Sequence, residues 1–160
     1  MSKYPNYLRD CKQARASINC STLSFPELAH IIEKAEREIY IKGRNLSPEH
    51  LKAKQFRHNY AIERKRVCRQ IKSVWQQVNA ISSIVEAPVS LTVLNSAMSR
   101  LPQQCVDGYD LLILETMANV GIECVITDDG DYATVPGITV FTANKAVIQA
   151  AKQQGQLKSR

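Results

Sequence analysis

Apolar residues recur along this chain with two periods, and stretches of the two kinds alternate. Tyr7, Leu8, Cys11 and Ala14 are spaced as one face of a short helix over residues 4–16. Residues 17–23 (SINCSTL) read as a short strand. Leu28, Ile31, Ile32, Ala35 and Ile39 then recur as the buried face of a second helix. Asn45, Ser47 and Pro48 mark a break, with Ser47 a plausible cap for the next helix. Phe56, Tyr60, Val67, Ile71, Val74 and Val78 form a second long apolar stripe. Residues 81–86 read as a strand ended by Pro88, and residues 90–99 as a helix with Leu91, Leu94 and Met98 on one side.

The last third carries the clearest signals. Residues 110–120 (DLLILETMANV) are apolar almost all round, as in a helix packed into an interior, and Gly121 stands where a helix-ending residue belongs. Residues 122–127 (IECVIT) suit a buried parallel strand, and the turn Asp128, Asp129, Gly130, Asp131 comes directly after it. Residues 137–142 (GITVFT) predict another strand and residues 144–154 a closing helix. Strands alternating with helices imply an α/β sandwich with a mostly parallel sheet.

A length of 160 residues with 44% hydrophobic content accommodates one ordinary core, and no repeat or low-complexity linker divides it; one domain over 1–160 is expected. No apolar stretch approaches the roughly 20 residues that cross a bilayer, and the first residues lack the apolar core of a secretory signal. A cytoplasmic protein without a membrane partner is therefore expected. Cys11, Cys20, Cys68, Cys105 and Cys124 are odd in number and never in a C-x-x-C pair, which predicts free, mostly buried thiols rather than disulfides or a zinc site.

Charge changes the picture because it is unevenly placed. Residues 52–72 hold eight Lys or Arg against the single acid Glu63, whereas residues 101–140 hold seven Asp or Glu and no Lys or Arg. A basic segment beside an acidic one suits a phosphate-rich substrate held near bound cations; a solvated helix face with acidic loops is the plainer alternative. Arg57, Arg64, Lys65, Arg69 and Lys72 are the candidates for nucleic-acid contact. Tyr60 and Trp75 could stack on bases, although both fit core packing better.

In parallel sheets ligands bind beyond the carboxyl ends of the strands, where several acids of this chain fall. Asp129 and Asp131 follow the strand at 122–127, Glu27 follows the strand at 17–23, and Asp110 opens the interior helix. Crowded carboxylates raise one another's pKa unless a cation neutralises them, and an oxygen-only donor set favours Mg²⁺ or Mn²⁺. Each acid also has a structural reading. Ser24 and Glu27 have the spacing of a capping box, Asp110 could be a helix N-cap, and residues 128–131 could be a polar turn. Glu115 lies one turn beyond Asp110, facing the same cleft or solvent. His30, His50 and His58 show no metal-ligand spacing.

Taken together, Asp110 opening a helix, Gly121 ending it, the strand closing in Thr127, then Asp129, Asp131 and Tyr132, and the Gly-Ile-x-Val strand at 137–140 resemble the PIN-domain family. Upstream, residues 21–29 (STLSFPELA) look like that family's second-strand exit, where a Glu at the start of a helix joins the metal site. The resemblance implies a three-layer α/β/α sandwich, with residues 43–80 as a basic helical insertion. It implies an Mg²⁺- or Mn²⁺-dependent ribonuclease of the kind found as VapC-like toxins. Glu27, Asp110 and Asp129 would be catalytic metal-site carboxylates, with Asp131 an accessory ligand and Thr127 a nearby hydroxyl. RNA would be the substrate and an antitoxin protein a partner, with a homodimer also admitted.

One departure stands out. The family opens with an apolar strand running into an Asp, and residues 1–17 contain no such strand; Asp10 lies in a helical pattern. That strand is central in the family's sheet, so its absence predicts two unpaired strand edges. The expectation is an active nuclease if an upstream start supplies the missing aspartate. The alternatives are a catalytically silent relative that binds RNA or a protein, and an unrelated α/β binding module.

Overall fold

The computed structural model describes residues 4–47, 49 and 51–158, so Pro48 and His50 lie outside the described residues. The chain is mixed α/β: α1 (Tyr4–Gln13), β1 (Asn19–Ser21), α2 (Ser24–Gly43), α3 (Ala53–Asn59), α4 (Ala61–Ile81), β2 (Ser83–Val85), α5 (Leu91–Arg100), α6 (Gly108–Val120), β3 (Cys124–Ile126), β4 (Thr139–Phe141) and α7 (Lys145–Gln153). A 3₁₀ turn at Asp131–Thr134 lies between β3 and β4. The strands form two parallel pairs, β1 with β2 (Cys20 opposite Ile84) and β3 with β4 (Val125 opposite Val140). Among the described residues no helix is long and apolar enough to cross a membrane. The chain divides into two compact units, Asn19–Val85 and the remainder, Met1–Ile18 with Glu86–Arg160.

Within Asn19–Val85, the stripe predicted from Phe56 onward is buried as its period requires. Phe56 and Val67 are fully enclosed with Ile41 and Leu51, and Tyr40, Tyr60 and Ile71 pack around them. The stripe is carried by two helices rather than one, because the backbone leaves helical geometry at Tyr60. Gln55 closes the first turn of α3 by accepting the Lys52 N–H at 3.1 Å. α2 is rotated from its predicted apolar face, of which only Leu28 and Ile32 stay half-buried. Ile31 is 62% exposed and Ile39 54%, while Glu33 and Ile41 are buried. The cause is electrostatic: Arg57 of α3 and Arg64 of α4 both bond Glu33, so α2 presents that carboxylate to its neighbours. Trp75 is used in packing, edge-on to Phe25 at 5.2 Å between ring centres.

The other unit is organised on α6. Leu111, Leu114 and Met117 form a core with Ala97, Val106, Tyr132 and Val135, against which Val125 of β3 and Val140 of β4 pack. Gly121 ends α6 in the left-handed region (φ 71°), where its N–H and that of Ile122 reach back to the last turn. Ser90 caps α5 through the Val93 N–H at 3.3 Å, and Ala97 brings α5 onto α6. The predicted apolar side of α5 faces outward, with Leu91, Leu94 and Met98 exposed. Glu115 takes neither predicted course: it is buried and ion-paired with Arg100 of α5. All five cysteines are free; none is fully buried, three being half-buried and Cys105 and Cys124 exposed.

Candidate metal centre

Asp110 is the third residue of α6 and is only 7% exposed. The N-cap of that helix is Asp107, whose Oδ1 accepts the N–H groups of Tyr109 (2.9 Å) and Asp110 (3.0 Å). Capping is thus done by a neighbour, and the carboxylate of Asp110 is not needed for it. Its Oδ1 instead accepts the Tyr132 hydroxyl at 2.8 Å inside the core. Burial pushes the Asp110 carboxyl above the usual carboxylate range. The Tyr132 hydrogen bond opposes that shift, and the negative charges of Asp107, Asp129 and Asp131 reinforce it.

The acidic turn is shaped by its own side chains. The Asp129 N–H donates to Thr127 Oγ1 at 3.0 Å, and the Asp131 N–H donates to Asp129 Oδ1 at 2.9 Å. Asp128 carries a different load. Its carboxylate accepts the Tyr4 hydroxyl, and its carbonyl accepts Asn144 Nδ2 at 2.9 Å. Tyr4 also accepts the Ala143 N–H at 3.1 Å, and Tyr7 donates to the Thr142 carbonyl at 2.9 Å while its ring meets Phe141 edge-on. α1 therefore fastens the exits of both β3 and β4 beside the turn.

Asp110, Asp129 and Asp131 thus share one electrostatic environment in one unit, with Thr127 bonded to the turn. Glu27 belongs to the unit Asn19–Val85, in the first turn of α2. The predicted capping box is replaced there, because Leu23 is the N-cap and Ser24 already lies inside the helix; the Leu23 N–H is taken by Ser21 Oγ at 3.2 Å. Asp10 sits in α1, ion-paired with Arg9 at 3.5 Å. His30 and His58 are exposed on α2 and α3.

Among the described residues no three His, Cys, Asp or Glu side chains converge as a preformed cage. A hydrated Mg²⁺ or Mn²⁺ is held through one or two carboxylates while it keeps most of its waters, so such an ion does not require a preformed cage. Carboxylates that raise one another's proton affinity gain most from such a cation.

The basic candidates sort into two groups. Arg57 contacts both oxygens of Glu33, the closest approach being 2.6 Å, and Arg64 adds a contact at 3.1 Å. The Arg57 bond holds the Glu33 carboxyl below its usual range. Lys65, Arg69 and Lys72 are exposed on α4.

Compared with protein-family models, with curated proteins and with solved structures, the chain matches none. Three residues at this site were missed by sequence reasoning. Asp107 had a usable signal, an Asp directly before Gly108 and the apolar run. Tyr132 stands where the resembling motif has Phe, so its hydroxyl is an addition that only the packing explains. Tyr4 has no local signal, since its partners lie more than a hundred residues away in the chain.

Proposed function

We propose that this chain is a PIN-like, metal-dependent nuclease that hydrolyses RNA phosphodiester bonds. The observation that carries the reading is the buried Asp110 carboxylate, held by Tyr132 within the field of Asp129 and Asp131 at the exit of β3. The parallel pairing of strands within each unit supports the α/β side of the proposal.

In this reading Asp110 and Asp129 would hold the cation, with Asp131 an accessory ligand. Bound Mg²⁺ or Mn²⁺ would supply Lewis-acid polarisation of the phosphate and a more acidic water. Tyr132 fixes the orientation of Asp110 by engaging Oδ1, and a bound cation would neutralise a charge that burial disfavours there. Thr127 and the Asp131 backbone hold the Asp129 side of the turn in one shape, so the ligands need little rearrangement on binding. Cleavage of a labelled RNA in Mg²⁺ or Mn²⁺, abolished by EDTA, is the expected activity once the first-strand aspartate of the resembling family is supplied upstream of this chain. Asp129→Asn should lower it by about 100-fold or more, given that even outer-shell partners of metal ligands are worth about 10–100-fold. A protein carrying that upstream aspartate that leaves RNA intact with either metal, or one in which Asp129→Asn cleaves as fast as the unsubstituted form, overturns the proposal.

A further inference from the structure

The excess positive charge of the chain is confined to one unit. Asn19–Val85 contains 12 Lys or Arg and 6 Asp or Glu, a net of +6, and the rest of the chain holds 9 of each. Inside that unit the ion pairs are unevenly shared. Glu33 takes Arg57 and Arg64, and Glu36 takes Arg66 at 3.1 Å. Lys65, Arg69 and Lys72 are exposed and make no ion pair among the described residues. Their spacing of four and three residues lines them on one face of α4. At 1.5 Å rise per residue they cover about 10 Å of helix axis.

The surroundings of these cations select the partner. From Arg64 to Ile81 the helix contains no Asp or Glu, so nothing on it repels a polyanion. The same face continues through Gln76 and Asn79, both exposed, whose amides can bond phosphate and sugar oxygens. A lipid surface would require apolar side chains along this face. The exposed large apolar residues of α4 are Ile62 and Ile81, at its two ends, and Trp75 is occupied by Phe25.

We infer that Lys65, Arg69 and Lys72, continued by Gln76, form a sequence-independent binding surface for the backbone of single-stranded RNA. Arg57 and Arg64 are excluded from it because they hold the fold through Glu33. The surface is read from the unit Asn19–Val85 alone, while the choice of RNA as its polyanion rests on the nuclease reading.

The test is anisotropy of a short labelled single-stranded RNA with the full chain, in EDTA, across a sodium chloride series. Removing three phosphate contacts at about 0.7 each should flatten the slope of log K against log salt by about 2 in Lys65→Gln/Arg69→Gln/Lys72→Gln. Lys34→Gln/Lys42→Gln, exposed lysines of α2, should leave the slope unchanged, and circular dichroism should show all variants folded. Binding is read in EDTA, where a metal-dependent reaction cannot proceed, which separates failure of this surface from failure of the nuclease reading. A folded triple variant with an unaltered slope overturns the inference. So does tighter binding of wild type to phosphatidylserine vesicles than to RNA, lost in the same triple variant.

Discussion

Asp110 is a cost to the protein without a cation and, on the proposed function, a resource once one is bound. Its carboxyl is raised mainly by burial, so the folded state holds the proton more tightly than the unfolded chain does. Folding is therefore favoured by this group at low pH, and that contribution is lost as pH rises through the raised folded value, leaving a destabilising buried charge at neutral pH. Asparagine keeps an oxygen for the Tyr132 hydroxyl and removes the charge. Asp110→Asn should thus raise the melting temperature in EDTA at pH 7 by about 2–4 °C, the shift that roughly 1 kcal/mol produces in a chain of this size. At a pH below the ordinary carboxylate range the two proteins should melt together. Adding Mg²⁺ at pH 7 should stabilise wild type and leave Asp110→Asn unmoved. A variant less stable than wild type in EDTA at neutral pH would mean that the ionised carboxylate is already neutralised within the protein.

Interactions between elements decide what periodicity alone leaves open. α6, its Gly121 stop, β3, β4 and the acidic turn were legible because the hydrophobic signal there is uniform and the turn residues are local. Asp110 and Asp129 were legible as neighbours for the same reason. The face of α2 was not, since Leu28, Ile31, Ala35 and Ile39 repeat as a core face would, while the deciding partner, Glu33, has its arginines 24 and 31 residues away. A charge pair between helices leaves no periodic trace. Glu33→Gln should lower unfolding stability by about 1–2 kcal/mol, the smaller part of the range for charge-assisted hydrogen bonds because the arginine side is open to water. Because its folded pKa is depressed, the Glu33 contribution is complete above the unfolded value and lost as pH falls through the folded one. Denaturant midpoints of wild type and Glu33→Gln should therefore converge in acid; a difference that persists there assigns the loss to packing.

For the whole chain, under the proposed function, the partition of charge between the two units becomes a partition of roles. The unit Asn19–Val85 carries the net +6, and the other carries Asp110, Asp129 and Asp131 within a net charge of zero. Attraction of RNA and turnover of RNA then depend on different side chains. Binding through Lys65, Arg69 and Lys72 is electrostatic and made equally in ground and transition states, so its loss should raise KM with little change in kcat. A metal ligand acts on the charge that develops at the reacting phosphate, so Asp129→Asn should lower kcat with KM nearly unchanged. Steady-state cleavage of one RNA by the two variants decides between this division and a single coupled site. With separate roles, the combined variant should show the product of the two losses in kcat/KM, the additivity of sites that do not interact. If Lys65→Gln/Arg69→Gln/Lys72→Gln alone lowers kcat as far as Asp129→Asn does, the cations act at the reacting phosphate and the division fails.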